Sequence, residues 1–385
     1  MNILILCDLQ PVGGTITYLT NFVSELSLLN HSVTIVSFAE EKYDFFPHNH
    51  KITQKQFLIK RRFYKISLFS RFIKLFSYLR KQKPTQYDLV ISDYYLPAIA
   101  YFLCRLILQK WKKIKMFYQF HGSITLEQHS QNVYGKKKLK QLYYAVNYVL
   151  EKFCISQADK IICFSSYSRS VLEQTIHYHK KTVLIHPGRE KLFDDIRSKY
   201  TKQQAREELG LPLTKKMIFL ASRIEPRKGI IECLNLLLEE RDKLPNTFIV
   251  MATNLTGLTD AVTTISRLPV FYLHLPPRDT LALLYRAADL TLMPSKKLET
   301  FGLTTLESFC LGTPVAAYDI GANKELIPTE FLASISQPSS LIDVVMKTLN
   351  KNNESRERLA LSCIEKSTQY SWTTYANSVL SLLKP

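Results

Sequence analysis

The chain opens on an apolar run, Ile3, Leu4, Ile5 and Leu6, that fits a fully buried strand. After a Pro-Val-Gly-Gly loop at 11–14 the period changes. Leu19, Phe22, Val23, Leu26 and Leu29 recur at the three- and four-residue steps of an amphipathic helix, and residues 33–38 return to a strand-like run. A glycine loop at the carboxyl end of a strand, then a helix, then a second strand is a βαβ unit, which predicts a parallel sheet covered by helices. Further strands are expected at 88–91, 116–120 and 160–164, the last leading into Ser165-Ser166-Tyr167-Ser168, residues suited to cap a helix. Residues 94–108 read as a strand end and a buried helix. They contain Pro97 and Arg105 and are too few for the roughly 20 apolar residues that a membrane-crossing helix needs.

The same alternation runs a second time. Strands are expected at 217–221, 247–252, 270–273, 290–293 and 314–317, with helices starting at Gly229 and covering 280–286 and 304–311. With 385 residues, 46% of them apolar, the chain is long enough for two domains. The expected fold class is α/β, with two Rossmann-like doubly wound parallel-sheet domains facing across a cleft that would hold any ligand. The boundaries read as 1–189 for the first domain and 190–367 for the second. A C-terminal helix at about 368–385 is expected to pack back on the first.

Charge separates the two halves. Of a net charge of +18, residues 1–190 hold 27 lysines and arginines against 12 acids, and the remainder holds 24 against 21. Between Lys51 and Lys83 stand eleven basic residues and no acid, interleaved with Phe57, Phe63, Tyr64, Phe69, Phe72, Phe76 and Tyr78. Within 66–81 the polar positions recur at helical steps beside a wide apolar face. Such a segment is expected to lie on an anionic membrane surface, the alternative being a helix packed on the first sheet with a solvated basic edge. No nucleic-acid-binding module accompanies the charge, so nucleic acid is not an expected partner. The seven cysteines are scattered, without zinc or disulfide spacing, and the first residues run into a strand with no charged export signal ahead of it. The expected location is the cytoplasm, peripheral on the inner face of the cell membrane.

The window most informative about chemistry is 294–327, PSKKLETFGLTTLESFCLGTPVAAYDIGANKELI. Glu299 falls on the loop after a strand and Glu307 eight positions on, inside the next helix. Between them Phe301, Gly302 and Leu303 can turn backbone N–H groups toward a phosphate, while carboxylates accept paired hydrogen bonds from sugar hydroxyls. Upstream, Arg223 and Lys228 flank a strand-to-helix turn, where two cations can neutralise a pyrophosphate.

The window, with its Glu-x-Phe-Gly-Leu, Leu-Glu and Gly-Thr-Pro-Val elements, closely resembles the signature of family 4 of the retaining glycosyltransferases, which is built on the GT-B fold. Ser222-Arg223-Ile224-Glu225-Pro226-Arg227-Lys228-Gly229 resembles the segment in which that family binds the donor diphosphate, with Arg223 and Lys228 at the matching positions. Gly13 and Gly14 resemble its glycine loop, and His121-Gly122 its His-Gly step, where the histidine contacts the transferred sugar. Two positions depart from the pattern: Asn30 stands where glycine is usual, and 321–324 is a variant of a glycine-rich turn.

The resemblance implies a hexosyl-type retaining transferase moving sugar from a UDP- or GDP-sugar to a glycan or lipid-linked acceptor in cell-surface polysaccharide or glycolipid synthesis, such as lipopolysaccharide or capsule. Glu299, His121, Arg223 and Lys228 would be its catalytic residues. Gly13, Gly14, Arg223, Lys228, Phe301, Gly302, Leu303 and Glu307 would bind the donor, with Glu307 on the ribose. No DxD triplet or metal-ligand spacing occurs, so no metal and no cofactor are expected. Two other classes remain open: a nucleotide-sugar epimerase, which needs a different acid/base set, and a non-catalytic GT-B partner subunit, against which the intact charged residues argue.

Overall fold

The computed structural model describes residues 1–8, 13–39, 42, 44–46, 49–59, 68–109, 111–123, 126–127, 137–178, 181–253 and 267–384. Pro11 and Val12 of the glycine loop and residues 60–67 of the basic stretch lie outside the described residues. Two compact units emerge: Met1–Pro187 with Trp372–Pro385, and Gly188–Ser371.

The first unit is built on a seven-stranded parallel sheet, β1 (Asn2–Asp8), β2 (Ser32–Ala39), β3 (Ile52–Leu58), β4 (Leu89–Ser92), β5 (Lys115–Phe120), β6 (Lys160–Cys163) and β7 (Thr182–Leu184), in the order β3-β2-β1-β4-β5-β6-β7. Both faces of β1 are covered, which is why Ile3 to Leu6 are apolar without alternation and wholly buried. Helices α1 (Gly14–Leu28), α2 (Leu68–Lys81), α3 (Tyr95–Leu108), α4 (Lys137–Gln157) and α5 (Ser166–Thr175) flank the sheet. Helix α5 opens with a reciprocal capping box. The Ser165 hydroxyl oxygen accepts from the Ser168 N–H at 2.9 Å, and the Ser168 hydroxyl oxygen accepts from the Ser165 N–H at 3.0 Å. Asn30, after α1, has φ of +64°, a left-handed conformation that asparagine tolerates better than most side chains do.

The second unit holds a six-stranded parallel sheet, β8 (Lys216–Ala221), β9 (Thr247–Thr253), β10 (Val270–His274), β11 (Leu290–Met293), β12 (Val315–Tyr318) and β13 (Leu332–Ala333), in the order β10-β9-β8-β11-β12-β13. Its helices are α6 (Lys191–Lys199), α7 (Lys202–Glu208), α8 (Ile230–Glu239), α9 (Arg278–Ala287), α10 (Leu303–Cys310), α11 (Asn323–Leu326), α12 (Ser340–Leu349) and α13 (Asn353–Thr368). The last helix, α14 (Trp372–Ser381), belongs to the first unit and packs on α1. There the Tyr375 and Tyr18 hydroxyls lie 2.6 Å apart, and the Gln119 amide donates to Tyr375 at 3.2 Å.

The structure changes the picture of residues 51–83. Residues 52–58, read from their lysines as part of a surface-seeking stretch, form β3, the edge strand beside β2, with half-buried and exposed positions roughly alternating. Lysine on an edge strand is a common guard against unwanted pairing. Helix α2 turns its apolar side inward: Leu75 and Leu79 are in the core, Phe72, Phe76 and Tyr78 pack against it, and Arg71 is buried in an ion pair with Asp8 at 2.9 Å. Among the described side chains of α2, Ile73 is the large apolar residue left exposed. All seven cysteines are buried, and none forms a disulfide. Among the described residues no helix is long and apolar enough to cross a membrane.

Candidate functional site

In each sheet the strand order reverses at one point, between β1 and β4 in the first and between β8 and β11 in the second. Chains leaving the carboxyl ends of two such strands part in opposite directions and leave a crevice, the usual ligand position in open α/β sheets. The loop after β8 carries Arg223 and Lys228, and the loop after β11 carries Glu299. Just past β1, β4 and β5 stand, respectively, the end residue Asp8, Asp93 and His121.

In the second unit the two loops are pressed together. The Lys296 N–H donates to the Arg227 carbonyl at 2.7 Å. Gly229 has φ of +64°, and a Cβ there would sit 2.4 Å from the Pro294 carbonyl oxygen. Only glycine allows that approach. Its result is an ion pair between the half-buried Lys228 and the buried Glu299, Nζ to Oε2 at 2.8 Å. On the other side of Glu299, the Ala322 N–H donates to its carbonyl at 2.8 Å, and a Cβ on Gly321 (φ +55°) would lie 2.4 Å from the same oxygen. Glu299 is thus held at its backbone by one glycine turn and at its carboxylate by a lysine that a second glycine admits. Burial alone would raise its carboxyl. The Lys228 ammonium outweighs burial, with Arg227 and Ser295 assisting, and holds it below the ordinary value.

The other predicted residues of this unit are placed differently. Arg223 pairs with Glu225 at 2.8 Å, and Glu225 also meets Arg227 at 3.2 Å, so, with Lys228 on Glu299, each of the two cations read from the sequence already has a counter-charge. Glu307, on α10, is engaged at both oxygens: Arg278 donates to one at 2.8 Å and the Tyr285 hydroxyl to the other at 3.0 Å. Arg278 also pairs with Glu190. Gly302 caps α10, Leu303 begins it, and the buried Phe301 stacks its ring edge-on against Tyr370 at 5.7 Å between centroids. Among the described residues no cluster of three or more His, Cys, Asp or Glu side chains is placed to hold a metal ion.

In the first unit Gly13 caps α1 and Gly14 is its first residue. His121 is caged by aromatic edges, with the Tyr18 ring at 5.0 Å and the Phe164 ring at 4.8 Å, and burial pushes its imidazole down to about 4. It is neutral near pH 7. Its Nε2 lies 4.0 Å from Asp93 Oδ2. Asp93 is a residue that sequence reasoning missed. Its side chain is 1% exposed, neither carboxyl oxygen has a hydrogen-bond partner among the described residues, and burial, with Asp8 adding, raises it to about 8. Gln119 Oε1, on the strand below, is also buried without a partner among the described residues. A protonated carboxyl, a neutral imidazole and an amide oxygen at one strand end form a group of polar atoms poised for hydroxyl partners. The available signal was position: Asp93 directly follows β4 at the strand-order reversal.

Two family models match the chain: residues 12–190 match Glycosyltransferase Family 4, and residues 201–362 match Glycosyl transferases group 1. Curated relatives include D-inositol 3-phosphate glycosyltransferases. That of Corynebacterium efficiens is 29% identical over 47% of this chain and 45% of its own length. That of Mycobacteroides abscessus is 26% identical over 78% of this chain and 66% of its own. The chain therefore spans about half to two thirds of these relatives' length. Among solved structures, sucrose-phosphate synthase from Thermosynechococcus elongatus superposes with a TM-score of 0.79 at 19% identity, covering 99% of this chain and 98% of that one. HepE from Anabaena in complex with UDP-glucose gives 0.76 at 19%, covering 100% and 99%. WaaG, a glycosyltransferase involved in lipopolysaccharide biosynthesis, gives 0.78 at 15%, covering 100% of both. At such identities the likeness establishes the fold, and that fold is GT-B.

Proposed function

The chain belongs to family 4 of the glycosyltransferases, and from that premise we propose that it transfers a hexosyl group from a nucleotide sugar to a glycan or lipid-linked acceptor with retention of anomeric configuration and without a metal ion. The observation that carries the proposal is the Lys228–Glu299 pair at 2.8 Å, forced by the two glycine contacts to the strand-order reversal of the second sheet. A lysine fixed there meets the diphosphate and stabilises it as it leaves, in the role a divalent ion fills elsewhere. Glu299, kept ionised, accepts hydrogen bonds from sugar hydroxyls. Glu307 exchanges Tyr285 or Arg278 for the ribose hydroxyls, and Arg223 exchanges Glu225 for phosphate. The N–H groups of Gly302 and Leu303 at the start of α10 complete the phosphate site. In the first unit His121, neutral, orients the transferred sugar as donor or acceptor of a hydrogen bond, with Asp93 behind it.

UDP and UDP-glucose occupy structures of HepE, which favours a UDP-sugar donor over GDP. The acceptor chemistry belongs to the same proposal: assembly of a surface glycan or glycolipid, by an enzyme peripheral to the cytoplasmic face of a membrane, in keeping with the basic first unit. Thermal-shift screening against UDP, GDP, ADP, CMP and their sugars, with and without EDTA, tests the donor side. A nucleotide-selective rise that survives EDTA and disappears in Glu307→Ala and Lys228→Ala supports it. No rise with any nucleotide would overturn the donor site and favour a non-catalytic subunit. The anomeric configuration of the product, read by NMR, tests retention.

A further inference from the structure

Helix α4 presents to solvent the face that an amphipathic helix normally buries. Leu142 and Val149 are 62% exposed, Val146 47% and Phe153 41%. At steps of four, three and four residues they form one stripe along three turns. The opposite face fixes the rotation. Tyr144, Asn147, Glu151, Cys154 and Ile155 are buried, with Asn147 accepting from the Tyr95 hydroxyl at 2.8 Å and Glu151 from the Ser123 hydroxyl at 3.1 Å. The helix cannot roll its stripe inward without breaking those bonds. Helix α3 packs alongside, with the Phe102 and Phe153 rings 6.3 Å apart, and ends in Leu106 and Ile107, 71% and 62% exposed. The apolar surface therefore continues from one helix to the next.

Charge identifies the occupant. Lys137, Lys138 and Lys140 open α4, Lys152 lies near its end, and Lys112 and Lys113 are exposed beyond α3. The one acid of α4, Glu151, is on the buried side. A stripe of Leu, Val and Phe on a helix that has four lysines, no arginine and its one acid buried differs from protein–protein interface cores, which are depleted in lysine. It fits a helix lying in the plane of an anionic bilayer, apolar side chains among the acyl chains and ammonium groups at the headgroups.

We propose that the α3–α4 face, with Leu142, Val146, Val149 and Phe153 at its centre, is the surface by which this chain docks on an anionic phospholipid bilayer. This moves the membrane contact from the basic stretch 51–83, whose helix spends its apolar side on the core, to a helix that leaves its own uncovered. It rests on the membrane-side reading of function given above. Vesicle binding needs neither donor nor acceptor, so its failure would leave sugar transfer standing.

The full chain is sedimented with vesicles of phosphatidylglycerol and phosphatidylcholine, or of phosphatidylcholine alone, at about 0.1 M and about 0.5 M NaCl. Binding is expected to the anionic vesicles only and to weaken at high salt. Leu142→Gln with Val149→Gln should lower partitioning about 100-fold, roughly tenfold for each side chain withdrawn from the acyl region, with an unchanged melting temperature. Lys74→Gln with Arg80→Gln on α2 should bind like the wild type. If the double glutamine variant melts lower, Ile107→Gln on α3 replaces it. The proposal fails if anionic vesicles are not bound, if the apolar variants bind as the wild type does, or if the α2 variant carries the loss. It also fails if light scattering shows a dimer that the apolar variant breaks, since the face would then pair two copies of the chain.

Discussion

Asp93→Asn isolates the buried carboxyl beside His121. In the unfolded chain this carboxyl titrates near 3.8, and in the folded protein it keeps its proton to about 8. Between those values folding takes up a proton, so the contribution to stability is fully present below the unfolded value and is lost as pH rises through the folded one. His121 works in the opposite sense over part of that range. Its imidazole falls from 6.5 to about 4 on folding, so the unfolded chain binds the extra proton and stability is lost as pH drops from about 6.5 toward 4. The two nearly cancel between pH 4 and 6.5, and above that only Asp93 remains. One pH unit of one proton is about 1.4 kcal/mol, so the wild type should lose about 2 kcal/mol between pH 6.5 and pH 8 through this group. Asparagine keeps the shape and does not titrate, so Asp93→Asn should lack that loss. The assay can be confined to the right part of the molecule. The chain has two tryptophans, and both Trp111 and Trp372 belong to the first unit. Tryptophan emission during urea unfolding therefore follows that unit alone. The quantity to compare is the wild-type minus variant stability at about pH 6.5, 7 and 8, in which titrations common to both cancel. A difference constant across that range within about 0.5 kcal/mol would mean that Asp93 ionises as an ordinary carboxyl, and the argument from its burial would be wrong.

Removing Lys228 with Lys228→Ala strands a buried carboxylate and should cost about 3 kcal/mol, seen as a lowered calorimetric transition; Lys228→Met with Glu299→Gln should recover much of that stability while leaving nucleotide binding absent. Gly229→Ala places a methyl 2.4 Å from the Pro294 carbonyl oxygen in a left-handed conformation and should cost about 2 kcal/mol or more, together with the nucleotide-dependent thermal shift; a variant that melts and binds as the wild type does would contradict the forced approach of the two loops. Tyr375→Phe removes the hydroxyl shared by Tyr18 and Gln119 and should cost about 1–3 kcal/mol in the tryptophan-monitored transition, with no effect on nucleotide-induced shifts in the second unit.

What the sequence disclosed follows from which interactions are local. Strands β1, β8 and β11 were legible because a parallel sheet covered on both faces selects near-continuous apolar runs: residues 3–6 and 217–220 are unbroken, and 290–293 is interrupted only by Thr291. Strand β3 was not, because an edge strand is half-solvated and its lysine reads as surface charge when no partner is in view. The same limit left open what covers the apolar side of α2. Periodicity shows that a helix has two faces but not which neighbour covers one of them, and α2 buries its stripe while α4, with a weaker pattern, exposes its own. At the candidate site, Glu299, Glu307, Arg223 and Lys228 stood out because spacing along one or two loops marks them. Asp93, Arg278 and Tyr285 did not, since each gains its meaning from a partner distant in sequence or from burial alone. Asp93 is one of many aspartates following a strand until Asp8 arrives from β1, His121 from β5 and the Tyr18–Tyr375 pair closes the aromatic wall beside the imidazole. The order of strands decides which residues meet there. Putting β4 rather than β2 on that side of β1 brings Asp8 and Asp93 to adjacent strand ends, and two neighbouring carboxyls in a dry site cannot both ionise freely. Asp8 stays paired with Arg71, so the proton remains with Asp93, the one facing His121.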